Sequence, residues 1–238
     1  MSQSTAMHHP AESAVPSNIV PRHLEALIFD MDGVLCDTMP FHLEAWLQYS
    51  ATVPELAVAS RDRLEKMGGK RNEELLPELL GHPVSEEDIQ RWGAEKEAVY
   101  RGLIKDKIQW LPGLMTFLRQ AQAQGLKLGL GTSACRENVE LLLAHENLGD
   151  FFEVRVIDAD VERGKPDPQC YLKVAERLGV EPDRCLVLED AVAGVQAARN
   201  AGMACWGVLT TCSEAALRQA GAEHCIEDFV QVRLDASI

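Results

Sequence analysis

The sequence predicts an α/β protein with a doubly wound parallel sheet and an inserted all-helical cap domain. From Leu111 onward, short apolar runs alternate with segments of helical spacing, which is typical of parallel strands joined by helical crossovers. Residues 39–110, by contrast, show helical spacing and no strand character. We therefore predict a core domain at 22–38 and 111–238, a cap domain at 39–110 and a flexible N-terminal leader at 1–21.

The predicted elements follow from apolar runs and from the residues that end them. Helices are expected near 40–50, 61–67, 72–80, 85–104, 114–124, 137–146, 164–178, 192–200 and 213–219. Strands are expected at 24–29, 126–130, 154–157, 185–188, 204–208 and 224–226. Because the strands after the first alternate with helices, the sheet is expected to be open and Rossmann-like, with a ligand at the carboxyl ends of its strands.

Composition and charge restrict the class of protein. Of the 238 residues 46% are hydrophobic and 25% charged, as in ordinary globular domains. The net charge of −14 disfavours nucleic acid and anionic membranes as partners. Seven cysteines without a Cys-x-x-Cys pair, and no apolar run of about 20 residues, favour a cytoplasmic location and no membrane span. We expect a monomer or a weak dimer.

The first predicted strand ends in a pair of carboxylates. Asp30 and Asp32 project to the same side of an extended chain, and Gly33 then allows a sharp turn. Two like charges at the end of a buried strand need a cation or a shared proton, and Mg²⁺ is the simplest hard cation. The alternative is an ordinary strand-ending turn, since Asp and Gly are common turn residues.

Further polar residues follow other predicted strands or the loops beyond them. Thr132 and Ser133 offer a hydroxyl and an amide to a phosphate oxygen, and Lys165 offers a fixed cation that would keep Asp30 ionised. Glu189 and Asp190 add two acids at a neighbouring strand end. Each group has an ordinary alternative: a turn, a solvated lysine, or an N-cap at Asp190.

Four ordered motifs resemble the haloacid dehalogenase-like phosphotransferases, over about residues 24–209. They are FDMDGVLCDT, LGLGTSA, RGKPDP and LVLEDAVAGVQAA. The resemblance implies that Asp30 is the nucleophile and Asp32 the general acid and base. It also implies Mg²⁺ bound by Asp30, the Asp32 carbonyl and Asp190, with Glu189 acting directly or through water. The phosphate would lie against Gly33, Thr132, Ser133, Ala134 and Lys165.

The cap is similar to that of the β-phosphoglucomutase branch of the family. His42 resembles its hinge-side histidine, Arg71 its ligand for the phosphate that is not transferred, and Lys96 a lysine that reaches the sugar. Solvent-exposed charges are the alternative for Arg71 and Lys96. After Thr132 the chain departs from that branch, and Arg136 is the candidate that compensates. Cys135 is expected to be structural, or reactive if it lies in the cleft.

These features predict a Mg²⁺-dependent phosphatase for a small phosphorylated metabolite, with a sugar phosphate as the expected substrate. β-Phosphoglucomutase is the alternative, because sequence does not measure how well a cap excludes water from the phosphoaspartate. A non-catalytic phosphate-binding regulatory protein is a weaker alternative, since Asp30, Asp32 and Lys165 are all present. A dehalogenase is disfavoured, because the resemblance implies that halide leaves without an acid such as Asp32.

Overall fold

Six parallel strands form the main sheet of the protein. The structure, a computed structural model, describes residues 18–66 and 71–235. Its strands in chain order are β1 (Ile19–Val20), β2 (Ala26–Phe29), β3 (Lys127–Gly131), β4 (Val154–Val156), β5 (Cys185–Glu189), β6 (Ala204–Val208), β7 (His224–Ile226) and β8 (Arg233–Leu234). The sheet has the order β4-β3-β2-β5-β6-β7, all parallel, which confirms the predicted doubly wound α/β fold. The strand order reverses around β2, the position where such folds bind ligands.

Helices cover both faces of this sheet. In chain order they are α1 (Met39–Ser50), α2 (Arg61–Lys66), α3 (Asn72–Leu80), α4 (Glu86–Ile104), α5 (Leu114–Ala123), α6 (Arg136–Ala144), α7 (Gln169–Leu178), α8 (Val192–Asn200) and α9 (Glu214–Ala220). The four helices α1 to α4, which we call the cap helices, lie between β2 and the rest of the core in sequence, as predicted.

β2 is apolar on both sides because both of its faces are covered. Leu27 and Phe29 belong to one buried cluster, and Ala26 and Ile28 to a second cluster on the opposite face. All four residues are fully buried. This is the environment that produces an uninterrupted apolar strand, and it puts the residues that follow β2 at the centre of the sheet edge.

The cap helices have a hydrophobic cluster of their own, which includes Trp46, Leu76 and Trp92. Helix α4 begins after Ser85, whose hydroxyl accepts a hydrogen bond from the Asp88 amide, as the sequence indicated. At its other end Tyr100 belongs to the core cluster. Helix α4 therefore packs on both parts; the division into two domains stays a prediction.

Two local features differ from the sequence-based elements. Ile19 and Val20, within the predicted leader, pair with β8, and neither strand was predicted; residues 1–17 lie outside the described part. The helix predicted from residue 164 begins only at Gln169. Residues that precede proline disfavour helical geometry, so Pro166 and Pro168 keep this segment a loop.

All seven cysteines are free thiols. Within the described residues, none of the helices is both long and apolar enough to cross a bilayer.

Candidate active site

The polar groups predicted at separate strand ends meet around one lysine. Lys165 donates through Nζ to Asp30 Oδ1 at 2.7 Å and to Glu189 Oε1 at 2.7 Å. It also donates to the carbonyl oxygen of Gly131, the last residue of β3, at 3.2 Å. β3, β2 and β5 are adjacent in the sheet, so their register brings these groups together.

Asp30, Glu189 and Asp190 form a buried acidic cluster. One carboxylate oxygen from each lies within 4.8 Å of the others. Burial raises the pKa of Asp30 to about 7; Lys165 opposes this, while Glu189 adds to it. Burial and the neighbouring carboxylates Glu189 and Asp30 likewise raise the pKa of Asp190 well above its usual value. The sequence predicted that Lys165 would keep Asp30 ionised; its effect has that sign, but burial is larger.

The donor set of this cluster fits a hard divalent cation. Three carboxylates face one ammonium in a buried space, and an oxygen-only site with excess negative charge suits Mg²⁺. The alternative role for Asp190, an N-cap, is wrong: helix α8 starts after Ala191 and has no side-chain cap.

Glu189 is committed to protein donors on both oxygens. Its Oε1 accepts from Tyr171 at 2.7 Å as well as from Lys165, and its Oε2 accepts from the Ala191 amide at 3.0 Å. The side chain of Glu189 is 1% exposed. Tyr171, on helix α7, was missed by the sequence reasoning because a tyrosine on the apolar face of a helix resembles ordinary core.

Two glycines leave space for the cluster. Gly33 has a φ of +78°, and a Cβ there would lie 1.9 Å from Asp190 Oδ2. A Cβ at Gly194, in the first turn of α8, would lie 1.6 Å from Glu189 Oε1. The turn at Gly33 was predicted. Gly194 was not, although a glycine inside a helix is unfavourable and could have indicated a close approach.

Asp32 faces the cap helices rather than the acidic cluster. Its Oδ1 accepts from Thr38 Oγ1 at 2.6 Å and lies 3.4 Å from His42 Nε2. Burial would raise the pKa of Asp32, but His42, Thr38 and Lys96 outweigh it and hold this pKa below its usual value. Asp32 is therefore ionised at neutral pH.

Hydroxyl groups from two loops complete the core side of the site. Thr132 is buried, and its Oγ1 accepts from the Ala134 amide at 3.1 Å. Thr210 donates to the Gly33 carbonyl at 2.6 Å, and Thr211 bonds Asp190, which lowers the pKa of that carboxyl. The two threonines after β6 were missed; their position at a strand end was the available signal.

A cavity of about 710 Å³ separates these groups from the cap helices. The predicted site residues that line it are Asp30, Asp32, His42, Arg71, Lys96, Thr132, Ser133, Ala134, Lys165, Glu189 and Asp190. Apolar side chains of the cap line it as well, among them Leu43, Trp46 and Leu75.

The two predicted cap cations, Lys96 and Arg71, line this cavity, and contacts with other side chains hold them in place. Lys96 is 4% exposed and lies 3.1 Å from His42 Nδ1, so the solvated alternative is wrong for it. Arg71, just before α3, donates from Nη2 to Asp158 Oδ1 at 2.5 Å, in the 3₁₀ turn after β4. Arg71 also packs on Gly164, where a Cβ would lie 2.7 Å from its guanidinium.

One expectation after Thr132, the role of Arg136, is corrected, while Cys135 agrees with its expected structural role. Arg136 is exposed at the first position of helix α6 and does not line the cavity, so it does not compensate for the departure at 133–136. Cys135 does line the cavity, but burial raises the pKa of its thiol, which disfavours the reactive thiolate.

Comparison with known proteins decides the family. A family model described as haloacid dehalogenase-like hydrolase matches residues 24–202. The chain belongs to the haloacid dehalogenase-like hydrolases. The phosphorylated carbohydrates phosphatase of Thermotoga maritima is 34% identical over 205 residues, 84% of this chain and 92% of that protein. The β-phosphoglucomutase of Bacillus subtilis is 32% identical over 194 residues, 78% of this chain and 83% of that protein.

Solved structures of the family agree with the fold. The crystal structure of a family IA, variant 3 hydrolase from Entamoeba histolytica superposes with a TM-score of 0.79 at 27% identity, covering 87% of this chain and 94% of the other. The chain is thus a haloacid dehalogenase-like enzyme of the phosphoric monoester hydrolase and phosphotransferase class. A purely regulatory phosphate binder is not its class.

Proposed function

We propose that this haloacid dehalogenase-like enzyme is a Mg²⁺-dependent phosphatase that hydrolyses a small sugar phosphate through a phosphoaspartyl intermediate on Asp30. The observation that carries the proposal is the contact of Lys165 with both Asp30 and Glu189 beneath a cavity that the cap helices cover. A buried carboxylate beside a cation, open to a cavity, is suited to attack a bound phosphoryl group.

The acidic cluster supplies the metal site. Carboxylates of Asp30 and Asp190 and the main-chain carbonyl of Asp32 would hold Mg²⁺. Glu189, whose oxygens already accept from three protein donors, is better suited to contact through water. When bound, Mg²⁺ neutralises and orients the phosphoryl group.

In the first half-reaction a carboxylate oxygen of Asp30 attacks phosphorus. The bond between phosphorus and the ester oxygen breaks, and the departing alkoxide takes a proton from Asp32. Lys165 favours the ionised form of Asp30 that this attack needs. Asp32 has to take up its proton with the substrate bound, because its lowered pKa keeps it ionised beforehand.

In the second half-reaction water attacks the phosphoaspartate. Asp32 accepts a proton from that water, and the bond between phosphorus and Asp30 breaks. Phosphate leaves, and the Asp30 carboxylate is regenerated. The lowered pKa of Asp32 supports this base role, since the ionised form is the one that accepts a proton. Thr132 and Ser133 are proposed to hold the phosphoryl oxygens together with Lys165.

A sugar phosphate is the proposed substrate class because the Thermotoga relative is named a phosphatase of phosphorylated carbohydrates. The cavity supports this with a mixed lining: Lys96 and Arg71 as polar groups, Leu43 and Trp46 as apolar ones. Sugars present hydroxyls at their edges and apolar C–H faces, so they suit a wall of this kind.

β-Phosphoglucomutase activity is the second candidate. The Bacillus relative carries that name, and Arg71 provides a cation in the same cavity besides Lys165 and Lys96, where a second phosphate could bind. The two activities differ in whether water or a sugar hydroxyl takes the phosphoryl group from Asp30. The excess negative charge of the cluster, which Mg²⁺ would offset, is common to both.

A substrate panel with Mg²⁺ separates these activities. Phosphate release from hexose and pentose phosphates is the result expected for the phosphatase. Interconversion of β-glucose 1-phosphate and glucose 6-phosphate without net phosphate release would favour the mutase. No turnover of any sugar phosphate would refute the proposal.

Asp30→Ala tests the nucleophile. Activity should fall by at least about 10⁴-fold, as for other catalytic nucleophiles, with an unchanged circular dichroism spectrum. The matched control is Asp183→Ala, an exposed carboxylate in the 3₁₀ turn before β5, which should keep full activity. Surviving turnover in Asp30→Ala would refute the assignment of Asp30.

A further inference from the structure

A continuous series of polar contacts leaves the core at Asp32, crosses the cap helices and returns to the core. Asp32 Oδ1 lies 3.4 Å from His42 Nε2, and His42 Nδ1 lies 3.1 Å from Lys96 Nζ. Lys96 donates to Glu97 Oε1, and Glu97 Oε2 accepts from Asn138 Nδ2 at 2.7 Å. Asp32 and Asn138 belong to the core, whereas His42, Lys96 and Glu97 lie on helices α1 and α4.

The Lys96 ammonium occupies a defined place in the cavity wall. A lysine ammonium carries three N–H donors. Among the described side chains, Glu97 and His42 are its two hydrogen-bond partners, and the ring of Trp46 lies 5.3 Å from Nζ. Lys96 lines the cavity, so a third N–H remains for a bound molecule.

Glu97 is the anion that keeps this ammonium in place. Burial opposes its ionisation, but Lys96, His42 and Asn138 outweigh burial and hold the pKa of Glu97 below its usual value. Both of its carboxylate oxygens are engaged, one by the cap through Lys96 and one by the core through Asn138. A buried cation that loses such a partner has to move or to lose its proton.

The contact between α4 and α6 fixes the orientation of the Asn138 side-chain amide as well as its position. Asn138 is 1% exposed, and its Oδ1 accepts from Arg101 Nη1 at 2.9 Å. Glu97 and Arg101 are four residues apart on α4, so they lie on the same face. One offers only acceptors and the other only donors, which fixes which end of the Asn138 amide faces each. This pair therefore recognises one orientation of one core side chain.

We propose that Glu97 is a positioning residue for the substrate. Together with Asn138 it fixes the Lys96 ammonium against the cavity, so the contact of Lys96 with the substrate depends on the seating of α4 on α6. This inference rests on the proposed phosphatase function and adds to it a residue that lies outside the four sequence motifs. A merely structural contact would change stability and leave substrate affinity unchanged.

Two single variants and their combination test the contact through donors and acceptors. Glu97→Gln places an amide donor against the Asn138 amide, and Asn138→Asp places a carboxylate against Glu97. In the double variant the amide introduced at position 97 again faces an acceptor, because the carboxylate introduced at position 138 can accept from it and from Arg101 together. We expect KM for the best sugar phosphate to rise about tenfold in each single variant, with kcat within about twofold, and to recover toward the wild-type value in the double variant.

The control is Glu87→Gln, the same substitution on an exposed residue of α4, which should leave both kinetic constants unchanged. If the single variants keep the wild-type KM in an active enzyme, or if the double variant is no better than either, the inference is wrong and the phosphatase proposal stands. If the wild-type protein turns over no sugar phosphate, the phosphatase proposal is wrong, and the substrate role of Glu97 is wrong with it.

A measurement without turnover checks the geometry. The imidazole ¹⁵N resonances of His42, assigned with His42→Gln, report whether Lys96 still lies against Nδ1. They should move in Glu97→Gln and Asn138→Asp and return in the double variant, while Glu87→Gln leaves them in place. Resonances of His42 that are unchanged in both single variants would overturn the positioning role.

Discussion

The two sides of the cavity are held in different ways. On the core side, Asp30 and Glu189 meet because β2 and β5 are neighbours in one sheet, with Phe29 opposite Leu188, and Lys165 reaches both carboxylates from a loop. On the cap side, Lys96 and Arg71 line the cavity and are held there by ion pairs, Lys96 with Glu97 and Arg71 with Asp158. Backbone register fixes the two carboxylates of the core side, whereas side-chain contacts fix the two cations of the cap side.

This difference separates chemistry from substrate selection. A carboxylate at the end of a buried central strand has little freedom to move, which suits groups that must be aligned with phosphorus. A cation held by a partly exposed carboxylate, as Arg71 is by Asp158, can exchange that partner for a substrate. We expect substitutions on the core side to change turnover and those on the cap side to change substrate affinity.

The largest expected effect is on the core side, from removal of the metal. Chelation should abolish activity, and Mg²⁺ should restore it. Mg²⁺ at about 100 times its Kd should also stabilise the wild-type protein by about 2.7 kcal/mol. In Asp190→Asn both effects should be lost, as measured by thermal unfolding with and without Mg²⁺. Full activity after chelation would refute the proposed dependence on Mg²⁺.

The next effect tests how rigid the core side is. Gly194→Ala places a Cβ 1.6 Å from Glu189 Oε1, so the Glu189 carboxylate has to shift. We expect a loss of about 1–3 kcal/mol of unfolding free energy together with a loss of activity. The control is Gly102→Ala on α4, where a Cβ would meet nothing within 4 Å. That variant should be neutral or more stable by about 0.5–1 kcal/mol. Equal stability changes in the two variants would contradict a rigid site.

On the cap side, Asp158→Asn should act on affinity rather than stability. The side chains of Arg71 and Asp158 are 29% and 40% exposed, so their ion pair contributes at most about 1 kcal/mol. Without Asp158 the guanidinium keeps only a 3.8 Å ion pair with the exposed Glu73, which a second phosphate can displace more easily, so KM for a sugar bisphosphate should fall about threefold. KM for a monophosphate should not change. Glu25→Gln, which breaks the exposed pair with Arg184, is the control. An equal fall in KM for both substrates would assign Arg71 to the transferred phosphate.

The smallest effect is a pH dependence at Glu97. Its pKa is lowered in the folded protein from the ordinary 4.5, so below that pH the unfolded chain takes up a proton that the folded protein does not. The stability that Glu97 contributes is therefore present above about pH 4.5 and is lost as the pH falls further. Urea unfolding of the wild type and Glu97→Gln at about pH 6 and about pH 4 should show the difference between them shrinking at the lower pH. A constant difference would mean that the Glu97 pKa is not lowered.

The core side was largely predictable from the sequence for the same reason that it is rigid. Apolar runs locate the strands, and parallel strands end at one edge of the sheet. Asp30, Lys165 and Glu189-Asp190 could be predicted at the site because they lie at or just beyond that edge. Tyr171 and Thr210 were missed because each completes the site through a contact with an element further away in sequence. Gly194 was missed because its close approach to Glu189 appears only when helix α8 packs at the end of β5. In the sequence alone, Tyr171 resembles an ordinary core residue, Gly194 a helical residue and Thr210 a turn residue.

The cap side was predictable in composition but not in contacts. His42, Arg71 and Lys96 were expected at the cavity and line it. Asp158, the partner of Arg71, and Glu97, the partner of Lys96, belong to no motif, and neither does Asn138, which bonds Glu97. Sequence alone does not separate them from solvated polar residues, which are the usual case. Arg136 shows the reverse error: a cation next to a motif in sequence can still point away from the site.

The position of β2 has a consequence for how the protein folds. Its residues 26–29 pair with 127–130 on one side and with 185–188 on the other. Both neighbouring strands, β3 and β5, are therefore synthesised long after β2. Closing such long loops costs entropy, whereas the four cap helices are built from contacts between nearby segments. During synthesis we expect the lid to take shape while β2 still has two open edges. Asp30 is thus among the first reactive groups to leave the ribosome and among the last to reach its final surroundings.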